Sequence, residues 1–289
     1  MKRRLLVIGS TAALGQALMM RLGANPEDFI VYAPTRSHDS SSLDLRYHDQ
    51  IKNAIQRTCP DLIINIAATF SNNFDEAFSV NVNASRLILE TVKDIGLSTR
   101  VVLIGSAAEY GIVSAQDNPI KEDRVLRPVS IYGMSKAWQT ELALMYASSG
   151  VNVVVARVFN LSGPGLSDRL FIGRLHKQIS EILGGSRQCI EVGSLSSIRD
   201  YISLDDAVTQ LLVIANYGIA GEVYHVASGQ PTTMREVLVC ELNRFGLSDS
   251  IVEEKAELSN RSGHDVPIIY ANISKTANLI KHSMSSCPS

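Results

Sequence analysis

The sequence predicts an α/β fold, a doubly wound parallel sheet with a smaller C-terminal α/β lobe. Two observations carry that expectation. Short runs that are apolar on both faces alternate with helix-period segments through the first half, as in a sheet covered by helices on both sides. A glycine-bearing turn, Gly9 to Gly15, joins the first of these runs to the first helical segment. Strands are expected at 4–8, 29–33, 62–66, 101–104 and 151–158, with helices at 14–22, 49–58, 74–95 and 131–148. Right-handed crossovers then wind the chain onto both faces of one sheet.

After Asn160 the pattern loosens, and Gly163, Pro164 and Gly165 punctuate the chain. Helices are expected at 170–183, 204–216 and 234–245 and a strand at 222–227, with the remainder polar and irregular. This divides the chain into a nucleotide domain, 1–160 plus roughly 198–228, and a substrate lobe, 161–197 plus 229–289.

A length of 289 residues, 45% of them hydrophobic and 19% charged, suits one large domain or a domain with a lobe. A net charge of -2 gives no reason to expect nucleic acid or an anionic membrane as partner. Cys59, Cys189, Cys240 and Cys287 are scattered, without metal-ligand spacing, which reads as reduced thiols in the cytoplasm and no metal site. The opening apolar run breaks at Gly9, so it reads as a buried strand rather than a signal peptide. No stretch approaches the ~20 apolar residues that span a bilayer.

In the turn, Gly9, Thr11, Ala12, Ala13, Leu14 and Gly15 lead into the first helix, whose amides can face a pyrophosphate. The central glycine of that pattern is here Ala12, and a plain strand–turn–helix connection would show the same spacing. After the second strand, where an acid would bind both ribose hydroxyls of NAD, the chain has Arg36. A guanidinium suits a 2′-phosphate, which points to NADP(H), with NAD(H) as the alternative. A solvated loop cation is the other reading of Arg36.

Tyr132 and Lys136 stand four apart in the 131–148 helix and so share one face, where an ammonium can lower the pKa of a phenol. With the glycine turn and Ser106, which precedes Tyr132 by 26 residues and Lys136 by 30, the chain resembles the extended short-chain dehydrogenase/reductases that act on nucleotide sugars. That resemblance to the Rossmann-fold NAD-dependent epimerase/dehydratase family covers nearly the whole chain.

The resemblance implies a catalytic set of Ser106, Tyr132 and Lys136, with Tyr132 and Lys136 also meeting the coenzyme. It implies adenine contacts from Asp44 and Leu45, a coenzyme-lining turn at Ala67 and Ala68, and further coenzyme contact from Phe159. On the substrate side it implies Ser106, Ala107 and Asn160, with Arg199 and Arg261 gripping a diphosphate. Glu109 either hydrogen-bonds a sugar hydroxyl or serves the strand end structurally, and Lys177 either reaches the diphosphate or is a solvated lysine.

Family dehydratases carry an Asp-Glu pair where this chain has Ala107 and Ala108, so reduction or 4-epimerisation remains. The Glu109-Tyr110-Gly111 segment and the Arg261-x-x-x-Asp265-Val266-Pro267 stretch most resemble the GDP-4-keto-6-deoxy-D-mannose reductases of the family. The expectation is therefore NAD(P)H-dependent reduction of the C4 ketone of a nucleotide-linked 4-keto-6-deoxyhexose, in deoxysugar biosynthesis of the GDP-rhamnose type. A nucleotide-sugar 4-epimerase with tightly held NAD is the closest rival, and a non-catalytic NADP-binding protein a further one. Relatives pair through a four-helix bundle, so a homodimer is implied, with Met134, Trp138, Leu142 and Met145 at its surface or simply buried in the monomer.

Overall fold

Residues 3–8, Arg-Arg-Leu-Leu-Val-Ile, form the first strand because their β-branched and leucine side chains are buried on both faces. The computed structural model describes residues 2–36, 42–96, 98–258 and 266–285. In chain order the first half comprises β1 (Arg3–Ile8), α1 (Ala13–Ala24), β2 (Phe29–Tyr32), α2 (His48–Thr58), β3 (Leu62–Asn65) and α3 (Phe74–Ala77). It continues with α4 (Ala84–Ile95), β4 (Arg100–Ser106), α5 (Ile131–Ser148) and β5 (Val153–Val158). The second half comprises β6 (Asn160–Ser162), α6 (Phe171–Leu183), β7 (Ile190–Val192), β8 (Ile198–Ser203), α7 (Leu204–Tyr217) and β9 (Val223–Val226). It ends with β10 (Pro231–Thr233), α8 (Met234–Arg244), β11 (Val252–Glu254), β12 (Ile268–Ile269) and α9 (Ser274–Ser285).

Six strands pair in the order β2-β1-β3-β4-β5-β9, every pair parallel. One apolar layer, built on Leu5, Leu18, Ile64 and Leu211, packs α1 and α7 against one face. The other, built on Leu6, Ile51, Ile63 and Ile88, packs α2, α4 and α5. Burying each such side chain contributes roughly 1.5–3 kcal/mol, so the two layers clamp the sheet between helices. The chain reverses direction across the sheet between β1 and β3, and the carboxyl ends of those strands open a crevice there.

The expected long helix at 74–95 is continuous but widens into a π segment, Phe78–Asn83, between α3 and α4. Two further expectations change. Residues 198–203 do not extend the large sheet. As β8 they pair with β6, β10 and β12 in a small second sheet at its carboxyl edge. The C-terminal region is not irregular throughout, because α9 packs on α7 and β9. Lys275 Nζ donates to Glu222 (2.5 Å) and the Val223 carbonyl (2.6 Å), and Thr276 Oγ1 donates to the His225 carbonyl (2.6 Å). That helix therefore closes the nucleotide domain rather than the lobe. Its sequence, SKTANLIKHSMS, is too polar to announce a buried face.

Asp200 ties the second sheet to its surroundings. It is fully buried, accepting at Oδ1 from Ser228 N (2.8 Å) and Oγ (2.7 Å) and at Oδ2 from Gly229 N (2.9 Å) and Ala271 N (3.1 Å). Among the described residues no helix is long and apolar enough to cross a membrane. Cys59, Cys189 and Cys240 are free thiols, whereas Cys287 lies outside the described residues.

A polar network runs through the core behind the sheet's carboxyl edge. Arg157 Nη1 donates to the Tyr110 hydroxyl (2.5 Å), which lies 2.6 Å from His225 Nε2, and His225 Nδ1 faces the Asn272 carbonyl at 3.0 Å. A neutral ring protonated on Nδ1 satisfies both neighbours. Burial chiefly, with the positive charges of Arg157 and Lys275, pushes the His225 pKa down to about 3, against the hydrogen bond to Asn272. The folded chain thus binds no proton here over a range where the unfolded chain, near 6.5, does. Stability at this residue is present at neutral pH and lost as pH falls below about 6.5. Between pH 7 and pH 5 it should remove about 2 kcal/mol of unfolding free energy, a slope that His225→Gln should lack. Denaturant unfolding of both proteins at the two pH values checks this, and identical slopes would contradict it.

Candidate active site

Four chain segments meet at the crevice. The first is the start of α1. Gly9 turns the chain with a φ of 88°, and Ala12 caps the helix without a side-chain hydrogen bond. The first-turn amides are thus left to whatever occupies the crevice. The second is the end of β4, where Ser106 opens the 3-10 turn Ala107–Tyr110 and its Oγ accepts from Ala108 N (3.2 Å). The third is α5, capped by Ser130, whose Oγ accepts from Gly133 N (3.0 Å). The fourth is Phe70 in the loop after β3, whose ring packs against Tyr132 at 4.6 Å between centroids, tilted by 36°.

Gly133 permits the closeness of α5 to the serine turn. A Cβ there would stand 2.5 Å from the Ala108 carbonyl oxygen, below any tolerable contact. The first turn of α5 therefore lies directly on the end of β4, and Tyr132 comes near enough to Ser106 for the serine to lower its pKa. Asn81, turned inward by the π segment, fixes the loop to the helix. Its Oδ1 accepts from Thr69 N (2.9 Å), and its Nδ2 donates to the Thr69 carbonyl (3.0 Å) and Ser135 Oγ (2.9 Å). Ser135 Oγ in turn donates to the Tyr132 carbonyl at 2.8 Å.

The electrostatics differ from the sequence expectation. Tyr132 is not acidified. Loss of hydration pushes its pKa up to about 12, the Ser106 hydrogen bond working against the rise and the Glu109 charge adding to it. Lys136 is buried, and its Nζ donates to Gln139 Oε1 (2.7 Å) rather than toward the phenol. Burial holds its pKa down to about 8, with the Glu109 charge pulling upward. Near neutral pH the phenol is therefore protonated and the lysine mostly an ammonium.

A cavity of about 600 Å³ holds this set. It brings together Thr11, Ala12, Ala13, Leu14, Ala68, Ser106, Ala107, Tyr132, Lys136, Phe159, Asn160 and Arg199. Its size, its largely apolar wall and the uncapped amides at the start of α1 fit a dinucleotide whose pyrophosphate needs donors and whose rings need apolar contact. Gly9, Gly15 and Ala67 shape the crevice from behind without lining it.

Other expected residues lie elsewhere. Leu45 is spent in the core with Leu43 and Ile51. Asp44 is held by Arg46, whose Nε lies 3.0 and 3.1 Å from its two oxygens, and its pKa is lowered by that bond first. Arg36 is exposed and near enough to Asp44 for its charge to contribute to the same lowering, but lines neither cavity. Glu109 does not reach a sugar site. It is fully buried behind Ser106 and bound by neighbours on both oxygens, because its capping role turns it inward. Arg261 lies outside the described residues.

A second cavity of about 690 Å³ continues from the first. Asn160, Leu170, Phe171, Arg199 and Tyr201 line both. Beyond them stand Arg169, Arg174, Lys177 and Arg187, with Lys177 exposed and 3.7 Å from Asp168. Sequence reasoning missed Phe70, Arg169, Arg174, Arg187 and Tyr201. Only Arg174 carried a signal, standing three before Lys177 on one helix face. The loop residues meet the cavity through tertiary packing alone.

The chain's similarity to known proteins follows the same geometry. It is 28% identical to the GDP-6-deoxy-D-mannose reductase of Pseudomonas aeruginosa over 268 residues, 89% of this chain and 85% of that protein. It is 26% identical to the GDP-6-deoxy-D-talose 4-dehydrogenase of Aggregatibacter actinomycetemcomitans, covering 96% of this chain and 91% of that one. The fold superposes on the structure of RMD from Pseudomonas aeruginosa complexed with NADPH with a TM-score of 0.84 and 25% identity, over 96% and 91% of the two chains. Residues 5–227 match the model of the NAD dependent epimerase/dehydratase family, and the chain belongs to that family.

Proposed function

We propose that this protein is an oxidoreductase that reduces the C4 ketone of a nucleotide-linked 4-keto-6-deoxyhexose, with NADP(H) as preferred coenzyme and NAD(H) as alternative. One observation carries the reading. The cavity bearing Ser106, Tyr132 and Lys136 shares Asn160, Leu170, Phe171, Arg199 and Tyr201 with a second one, whose wall carries Arg169, Arg174 and Arg199 besides Lys177 and Arg187, which pair with Asp168, Glu181 and Glu191. Guanidinium groups suit a diphosphate, so a sugar at the junction and a nucleoside diphosphate beyond it match the two volumes. The similar reductase and dehydrogenase act on GDP-linked 6-deoxyhexoses, which supports a GDP-sugar of this type.

The coenzyme, when bound, supplies the hydride that the carbonyl carbon receives. The protein's part is to place and protonate the carbonyl oxygen. Ser106 orients it by a hydrogen bond, and Tyr132 donates the proton as negative charge develops there. Lys136, an ammonium on the same cavity wall that bonds Gln139 here, would hold the ribose of the coenzyme and supply positive charge as the phenol gives up its proton. Burial holds the Tyr132 pKa up at about 12, so the phenol carries the proton that reduction requires. Ala107, on the cavity wall, and Ala108 beside it supply no carboxyl group for dehydration.

Turnover by Tyr132→Phe should fall by about a thousandfold or more while NADPH binding changes little, as read by single-turnover kinetics and coenzyme titration. A normal rate would remove the proton-donor assignment. Arg36→Ala should weaken NADPH about tenfold or more and leave NADH nearly unchanged, because only the former carries a 2′-phosphate. Equal losses in the two titrations would remove the coenzyme preference.

A homodimer through α5 and the continuous helix that runs from α3 through the π segment to α4 is part of the same proposal. Phe74, Phe78, Trp138 and Met145 are exposed together, with Trp138 set edge-on to both phenylalanines at 5.9 Å. Met134 is half-buried beside them, while Leu142 packs inward on the core. Trp138→Glu should shift the protein toward monomer in sedimentation velocity. An unchanged sedimentation coefficient would exclude this face.

A further inference from the structure

Glu109 has more contacts with the catalytic framework than a turn cap requires. Its Oε1 accepts from Ser106 N at 2.6 Å, at the end of β4. Its Oε2 accepts from Thr140 Oγ1 at 2.9 Å, one turn beyond Lys136 on the same face of α5. The same oxygen receives Arg157 Nε (3.0 Å) and Nη2 (2.8 Å) from β5. Both side chains of this ion pair are essentially without solvent exposure. Gly105 makes the room, since a Cβ there would come 2.7 Å from Glu109 Oε1.

Such a buried pair is poor value as a stabiliser, because desolvating two charges offsets most of their attraction. What it can supply is geometry. We propose that Glu109 is a positioning residue, whose carboxylate joins β4, α5 and β5 and so holds the Ser106 hydroxyl in register with Tyr132 and Lys136. This rests on the reading of those three residues as the catalytic set. The carboxylate also adds one negative charge beneath the lysine. Thr140 on α5 and Arg157 on β5 bond that carboxylate, and its charge also reaches Tyr110 on the serine turn and Tyr132 on α5. The same charge raises the affinity of Lys136 for its proton.

The test compares Glu109→Gln with Thr140→Val. Displacing a reacting group by about 1 Å costs on the order of a hundredfold in rate. Glu109→Gln should therefore lower kcat roughly ten- to hundredfold, with KM and the Kd for NADPH within about threefold. The limb of its kcat–pH profile that belongs to Lys136 should move to lower pH. Thr140→Val removes one hydrogen bond and keeps the charge, so its limb should stay in place. A crystal structure of Glu109→Gln should show Ser106 Oγ displaced from Tyr132. Wild-type kcat with an unmoved limb and an unmoved serine overturns the proposal. If Glu109→Gln does not fold, the neutral pair Glu109→Gln/Arg157→Gln replaces it, and wild-type kcat there overturns the proposal equally. If the wild-type enzyme reduces none of the GDP-, dTDP-, CDP- or UDP-linked 4-keto sugars, the proposed activity fails. The position of Ser106 in the Glu109→Gln crystal then decides the positioning role by itself.

Discussion

Helix α5 lies so close to the end of β4 that one methyl group at Gly133 would sit 2.5 Å from the Ala108 carbonyl oxygen. The rest of the arrangement at the crevice follows from that contact. It sets Tyr132 beside Ser106, and it brings Thr140 within reach of the carboxylate under the serine turn. It also leaves the Tyr132 ring free to pack against Phe70 across the crevice. The parallel order of the sheet directs the ends of β1, β3, β4 and β5 to the same side, so all of this faces one opening.

The charges around this contact are distributed by burial rather than by proximity alone. An ammonium four residues from a phenol suggests an acidified tyrosine. The folded chain instead desolvates both groups, moving the phenol up to about 12 and the lysine down to about 8. Desolvation disfavours whichever form is charged, and so pushes an acid and a base in opposite directions. The result is a donor that keeps its proton near neutral pH beside a lysine close to its own titration point. Arg157, fully buried on β5, offsets the Glu109 charge and anchors Tyr110 and, through it, His225.

The C-terminal pieces serve two places at once. β8, β10 and β12 form the small sheet that carries Arg199 and Tyr201 to the junction of the two cavities. Asp200, between those two residues, faces the opposite way and is consumed in holding residues 228, 229 and 271. Strand alternation explains the division, since neighbours on a strand point to opposite faces. α9 then returns to the large domain and covers the edge at β9, where Lys275 and Thr276 bond to that strand.

The sequence by itself determined the sheet of buried strands, the glycine turn and the spacing of Ser106, Tyr132 and Lys136. Each is a local pattern of apolar period, backbone freedom or helical repeat, and the expected 131–148 helix coincides with α5. Tertiary structure alone decided what Glu109, Leu45 and α9 do. Glu109 turns inward because buried Arg157 awaits it from a strand 48 residues later. Leu45 is taken by the core, and the polar α9 finds its place only against β9. The second cavity was legible only in part: Asn160, Lys177 and Arg199 were expected there, whereas Arg169, Arg187 and Tyr201 reach it from three separate segments with no shared periodicity. Local pattern records what a residue does to its own backbone. Burial, and the pKa shifts that burial imposes, depend on which distant segments arrive to exclude the water.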